Sequence, residues 1–277
     1  MQERTIALYF FFIFIFNDII MNYKISSIYF YPVKSISFQN LKKCTIKKDI
    51  GILNDRIFAI SRLVDADKAI YIEKNPGNRK LNDLLNLKNT PELNKYKFEY
   101  EDGLLKLFFE DKLIQSANTN NPEETDLIIR ELSQLENTIK GPNYLLKNEK
   151  FPFFDTTSSG EIINSISLIN LETIKDFESK LGKKVEFQRF RGNFYIEGMP
   201  AWEEKKILGK TIEINGLKFK AEYDIPRCSA TNLKPSTGEA TINLPQKLKE
   251  FYNHFDLGIY LAPLEDGEIS EGDIVKI

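Results

Sequence analysis

The sequence predicts a mainly β protein with some helices, an α+β fold. Three observations lead there. Short runs rich in Ile, Val, Tyr and Phe recur along the chain with loose alternation, the pattern of strands with one buried face. Asp102-Gly103 and Asn215-Gly216 each lie between two such runs and supply the positive φ angles of a tight hairpin turn. Few stretches carry the three-and-four spacing of a helix. At 277 residues the chain is long enough for one large domain or two modest ones with a sizeable core.

In order, residues 24–31 read as a strand ended by Pro32, with a turn at Val33-Lys34-Ser35. Residues 39–48, which hold Cys44, form the next strand, and 51–56 turn into a short apolar strand at 57–60. Asp65-Ala66-Asp67 reads as a turn, with 68–72 returning as a strand. Residues 78–85 are short-helical or irregular. The clearest hairpin joins 96–100 to 104–109. Leu127, Ile128, Ile129, Leu132 and Leu135 give 123–135 a helical face. Residues 147–159 shift to Pro, Phe, Thr and Ser, a functional loop or a connection between units. Strand 162–168 precedes a helix opened by Asn170 and closed by Gly182. Short strands follow at 185–190, 194–197, 211–214, 217–223, 259–261 and 274–277. A helix with Pro245 in its first turn covers 244–255.

Composition excludes several functions. A formal net charge of −2 gives no basic field for nucleic acid. Two distant cysteines make no disulfide scaffold, suit a reducing, cytoplasmic setting, and leave no CxxC pair for a zinc ribbon or an internal iron–sulfur cluster. With a single histidine, His254, most His-based catalysis drops out. The apolar run at 5–16 is shorter than the roughly 20 residues of a spanning helix. It lacks a small-x-small cleavage site, so 1–20 reads as an extension before a start at Met21; membrane association through this run is the alternative.

The stretch Arg227-Cys228-Ser229-Ala230-Thr231 follows a strand-like run and opens a polar loop ending at Gly238. A guanidinium beside a cysteine favours the thiolate, a soft nucleophile and metal ligand. The plainer alternative is a small buried apolar residue. Lys34 and Arg56 read equally as surface charges, Arg56 also as an ion-pair partner of Asp55. Thr156 and Thr157 read as turn hydroxyls, with Asp155 a turn cap.

These pieces together resemble the MOSC domain family (molybdenum cofactor sulfurase C-terminal domain). Phe30-Tyr31-Pro32-Val33-Lys34-Ser35 and Asp55-Arg56 are similar to the N-terminal β-barrel domain that precedes MOSC domains. Asp155-Thr156-Thr157, Phe190-Arg191-Gly192-Asn193, Arg227-Cys228 through Gly238, and the ending 267–275 resemble the MOSC domain itself. The resemblance covers 21–277, divides the chain into an N-terminal β-barrel domain at 21–146 and a MOSC domain at 147–277, and points to the amidoxime-reducing members, mitochondrial and bacterial. Three departures from the family pattern stand out: Gly192 where Pro is frequent, Ser158-Ser159-Gly160 after Thr157, and Trp202 ahead of Glu203-Glu204.

The resemblance implies a molybdenum cofactor, Mo-molybdopterin, with Cys228 as the protein's ligand to the metal. It implies cofactor contacts from Lys34, Ser35, Arg56, Thr156, Thr157, Arg191, Asn193, Arg227 and Thr231, with Asp155 as an acid near the metal. Thr231 reads equally as a residue that closes its loop. The implied reaction is reduction of hydroxylamines, amidoximes or N-hydroxylated bases to the amine and water, with two electrons and two protons. With no internal iron–sulfur cluster, haem or dinucleotide fingerprint, the electrons come from a separate flavoprotein reductase or a small haem or iron–sulfur carrier. Two other readings stand: a sulfur carrier with a persulfide on Cys228, and a non-catalytic binding module. Neither the substrate nor the oligomeric state is written in the sequence.

Overall fold

The computed structural model describes residues 23–36, 38–154 and 166–277. Strand β1 (Tyr23–Phe30) buries Tyr23, Ile25 and Ile28 and runs between β11 (Phe194–Glu197) and β16 (Ile274–Lys276), antiparallel to both. That double pairing closes a seven-stranded barrel in the order β11, β10 (Ile166–Asn170), β14 (Asp256–Pro263), β13 (Leu217–Pro226), β12 (Thr211–Ile214), β16, β1. A closed barrel leaves no unpaired edge. β2 (Gln39–Leu41) adds to the outside of β1. Ile25, Ile28, Leu168, Phe194, Ile196, Phe219, Ile259 and Leu261 share the interior cluster.

β10 is buried throughout and pairs in parallel with β11. A parallel neighbour needs a crossover, here α3 (Leu171–Leu181). Asn170 caps that helix by accepting from the Glu172 amide at 3.0 Å, and Gly182 ends it in the left-handed conformation. Buried Glu204 accepts from Asn170 Nδ2 at 3.0 Å and from the Thr173 hydroxyl at 2.7 Å, so the start of α3 is fixed to the chain after β11. Helix α4 (Leu244–Tyr252) lies beside it and stops at Asn253, which is left-handed. Asp176 on α3 joins the two by accepting from Tyr252 Oη at 2.7 Å and from Trp202 Nε1 at 2.8 Å. His254 stacks on Tyr252, and its Nδ1 accepts from the Asp256 amide at 3.2 Å. The Trp202 side chain is thus part of the packing.

The first half forms smaller sheets and lends strands to the second. β5 (Phe58–Ile60) pairs with β9 (Leu145–Lys147), and β6 (Tyr96–Glu101), β7 (Leu104–Phe109) and β8 (Lys112–Asn118) form a meander. Helix α2 (Pro122–Leu135), capped by Asn121, buries Ile128, Ile129 and Leu132 in the cluster that includes Phe98, Leu105 and Leu107. β3 (Lys43–Lys47), bearing Cys44, pairs with β4 (Gly51–Ile52) and with β15 (Gly267–Ser270) near the C-terminus. Among the described residues the sheets contain one closed barrel, and β1, from the first half of the chain, completes it.

Local readings also need correction. The strand expected at 68–72 is helix α1 (Ala66–Lys74), because Asp65 caps it by accepting from the Lys68 amide at 2.8 Å and the buried Ala69 and Ile72 lie three apart. The strand expected at 185–190 is a 3-10 turn, Phe187–Phe190. β8 carries no clear strand signal in the sequence because Gln115 and Ser116 dilute its apolar pattern. Among the described residues no helix is long and apolar enough to cross a membrane. The apolar run at 5–16 lies outside them.

A chain starting at Lys147 lacks β1 and should fail to form the barrel, giving collapsed amide dispersion in NMR; a well-dispersed spectrum would show a barrel that closes without it. Trp202 is the chain's one tryptophan and reports on Asp176. Its indole hydrogen bond, with that of Tyr252, holds the carboxyl below its usual 3.8 against the opposing effect of burial. The stability this group adds is present above 3.8 and lost as pH falls through the lowered value. Tryptophan emission should therefore change with a midpoint below pH 3.8, and that step should vanish in Asp176→Asn.

Candidate functional site

Cys228 stands where β13 leaves the barrel. The Arg227 amide still donates to Phe255 O at 2.9 Å, and Cys228 then caps the 3-10 turn Ser229–Asn232 in extended conformation. Its thiol is free and half-buried. Thr231 donates its amide (3.0 Å) and its hydroxyl (2.8 Å) to Cys228 O and so closes the loop on itself.

The loop beyond is held from two sides. Arg189, buried in the 3-10 turn after α3, donates to Asn232 O at 2.8 Å and to the Thr241 hydroxyl at 2.7 Å. From the first half, Asn94 Nδ2 donates to Lys234 O and Thr237 O, each at 2.8 Å. Neither residue stands out in the sequence: Arg189 reads as one charge near a strand end, and Asn94 as a turn residue.

Arg227 directs its guanidinium into the protein. Nε and Nη2 donate to Leu257 O, and Nη1 donates to Phe190 O at 2.8 Å. Burial lowers its pKa from the usual value. The residue thus joins β13, β14 and the turn before Arg191. Space for it requires Gly258, where φ is +81° and a Cβ would lie 2.6 Å from Leu168 O and 3.2 Å from Arg227 Nη2.

Two more guanidinium groups meet on one ring. Arg56 Cζ lies 4.5 Å and Arg191 Cζ 4.7 Å from the centroid of buried Tyr31, a cation–π arrangement at both. Both arginines have positive φ, 54° and 50°. Arg191 Nη2 also donates to Ile36 O at 2.9 Å. Arg56 pairs with Asp55, whose side chain is 1% exposed. The Asp55 carboxylate further accepts from the Tyr31 amide (2.8 Å) and Asn193 Nδ2 (3.0 Å). Burial raises the Asp55 pKa, and the charge of Arg56 is the largest opposing effect. Burial likewise pushes the Tyr31 phenol up to about 12, leaving it protonated to donate to Gly192 O at 3.1 Å.

Asn193 is the hub beneath these groups. Its Nδ2 donates to Tyr29 O (3.1 Å) and to Asp55, and its Oδ1 accepts from the Ser167 hydroxyl (2.8 Å), the Ser167 amide (3.2 Å) and Arg56 Nη1 (3.4 Å). With both amide hydrogens used internally, it orients Asp55 and Arg56. Gly192 is closely held in this turn: its amide donates to Tyr195 Oη at 3.0 Å, and a Cβ would lie 2.4 Å from Ile169 Cγ1. A proline there would lose the bond and meet Ile169.

Lys34 is buried in the turn after β1, its amide donating to Phe58 O at 2.8 Å, and Ser35 beside it has φ 65°. Asp155, Thr156 and Thr157 lie outside the described residues. Cys44 is buried on β3, and burial pushes its thiol up to about 12, a structural position. Arg227 links the thiol to the arginines, since its acceptor Phe190 directly precedes Arg191.

No three His, Cys, Asp or Glu side chains gather into a metal-binding group among the described residues. A cofactor of the kind the resemblance implies would bring further ligands to a metal held by Cys228. The residues fit such a group: one half-buried thiol on a fixed loop, and buried Lys34 with half-buried Arg56 and Arg191 as cations suited to an anionic tail.

Residues 155–276 match the family model described as the MOSC domain, and this stretch carries Cys228, Arg227, Arg191 and Asn193. Residues 155–276 are thus similar to MOSC domains. A relative, the rat (Rattus norvegicus) mitochondrial amidoxime reducing component 2, is 27% identical over 122 residues, covering 40% of this chain and 36% of its own length. The matched stretch thus spans little more than a third of that relative. Among solved structures, YiiM from Geobacillus stearothermophilus aligns at 18% identity over 40% of this chain and 52% of its own, with a TM-score of 0.33. The YUAD protein of Bacillus subtilis aligns at 11% identity over 92% and 94%, with a TM-score of 0.40.

Thiol labelling separates the two cysteines. Near pH 8 the native protein without cofactor should take up alkylating reagent at Cys228 alone, and at Cys44 only after unfolding, counted by mass spectrometry. Rapid native labelling of Cys44 would contradict its burial.

Proposed function

We propose that this protein is a molybdenum-cofactor-dependent oxidoreductase that reduces N-hydroxylated compounds, with electrons from a separate redox partner. The observation that carries the proposal is Cys228, a free, half-buried thiol on a fixed loop within the MOSC match, tied through Arg227 to a pair of guanidinium groups on Tyr31. The name of the rat relative supports the reaction class. Cys228 would hold the metal, and Arg56, Arg191 and buried Lys34 would bind the phosphate of the pterin. The cofactor, when bound, supplies the two-electron chemistry.

The chain's own residues bind and orient. Arg189, Asn94 and Thr231 fix the loop of the thiol, so that ligand geometry does not depend on a mobile strand end. Asp55 and Asn193 fix Arg56. The substrate's N–O bond breaks as two electrons and two protons enter, and the products are the amine and water.

Cys228→Ala should abolish benzamidoxime reduction and leave the circular dichroism spectrum unchanged; retained turnover would remove Cys228 as the metal ligand. Protein from a host that makes the cofactor should contain molybdenum and pterin, and a persulfide on Cys228 without metal would favour a sulfur carrier instead. Arg56→Ala should lower molybdenum content about tenfold or more, the scale of a charge-assisted contact. Full loading would take Arg56 out of the site.

A further inference from the structure

Arg79 lies after α1, outside every motif used above. Its guanidinium is enclosed by main-chain carbonyls: Nε donates to Ile72 O (3.2 Å), Nη2 to Glu73 O (3.3 Å), and Nη1 to Phe151 O (2.6 Å) and Pro152 O (3.1 Å). Its Cζ lies 3.9 Å from the Phe153 ring centroid. Two acceptors belong to the last turn of α1, where carbonyls lack helical partners and a cation is favoured. The other two belong to the strap 151–154. One side chain thus clamps the strap to the helix.

The far side of the strap meets Arg56. The Phe153 amide donates to Arg56 O at 2.7 Å, and the Phe154 ring lies 5.3 Å from Arg56 Cζ. The Arg56 amide donates to Tyr31 O at 2.7 Å, so the strap and the end of β1 grip this backbone from both sides. Its φ of 54° is unfavourable by about 1 kcal/mol or more for a residue with a side chain, and such a conformation persists only where neighbours impose it. The strap is part of what imposes it.

We propose that Arg79 is a positioning residue that, through the strap 151–154, holds Arg56 in the orientation required to bind an anionic group. The anion assignment rests on the functional reading above; the clamp does not. Lysine cannot replace arginine here. An ammonium has three donors in a compact cone, whereas the planar guanidinium reaches carbonyls on two segments at once and stacks on Phe153.

Two measurements on the full-length chain test this. In hydrogen exchange, Arg79→Lys should expose the Phe153 amide at least tenfold faster while barrel strands β10 to β14 keep their protection. This arm needs no cofactor, and unchanged exchange at Phe153 would overturn the proposal. On protein from a cofactor-making host, Arg79→Lys should lower molybdenum content about fivefold, the factor of one lost hydrogen bond. Arg56→Ala with Arg79→Lys should be no lower than Arg56→Ala alone, because both act through one group. Leu248→Ala, a core change in α4, controls for general destabilisation and should leave content at the wild-type level. Additive losses in the double variant, or an equal loss in Leu248→Ala, would reduce Arg79 to a structural residue. Should wild type hold no cofactor, the functional reading fails, and the exchange experiment still decides the clamp.

Discussion

A carboxylate sealed from water is the constraint around which this molecule is arranged. Asp55 cannot remain charged in the interior without compensating partners. Its partners come from three places: the Tyr31 amide at the end of β1, Asn193 just before β11, and the adjacent Arg56. The first and second halves of the chain thus meet on one side chain. The same contacts turn Arg56 toward the Tyr31 ring, where Arg191 arrives from the opposite half. Satisfying one buried charge thus draws together the end of β1, the turn before β11 and the clustered cations.

β1 makes the dependence mutual. It is held between β11 and β16, and its last residues lead into the turn of Lys34 and Ser35. A shift of one residue in that pairing would turn Ile25 and Ile28 out of the barrel and carry Tyr31 away from Gly192. The hydrophobic pattern of a strand therefore sets the place of polar groups that carry no pattern of their own.

What the sequence made legible follows the range of each physical signal. Hairpins at Asp102-Gly103 and Asn215-Gly216 were legible because turn chemistry is local. The helix at Ala66–Lys74 reads as a strand in the sequence because Asp65 serves equally as a turn former and as a helix cap, and both roles use the same side-chain acceptor. The role of β1 in closing the barrel was hidden, since pairing with strands more than 160 residues away leaves no mark in its own composition. Among the site residues, Arg56, Arg191 and Cys228 stand out through the resemblance, and composition alone does not distinguish the arginines from Arg189 and Arg79. The partners of each guanidinium separate these arginines, and those partners are set by tertiary structure.

Arg227 alters the argument about the thiol. The sequence invites a guanidinium aimed at its neighbour, but these donors serve Leu257 O and Phe190 O. Its contribution to Cys228 is position. A side chain that spans β14 and the turn before Arg191 leaves the next residue little freedom, and Thr231 fixes the carbonyl of that residue from the other side. Soft ligands bind a metal through directional orbitals, so a thiol fixed at its backbone serves that purpose better than one only made more acidic. The proposed ligand is thus prepared by hydrogen bonds that never touch sulfur. In the same way the proposed anion site is prepared by Asp55, Asn193 and Arg79, each of which acts on Arg56 from behind.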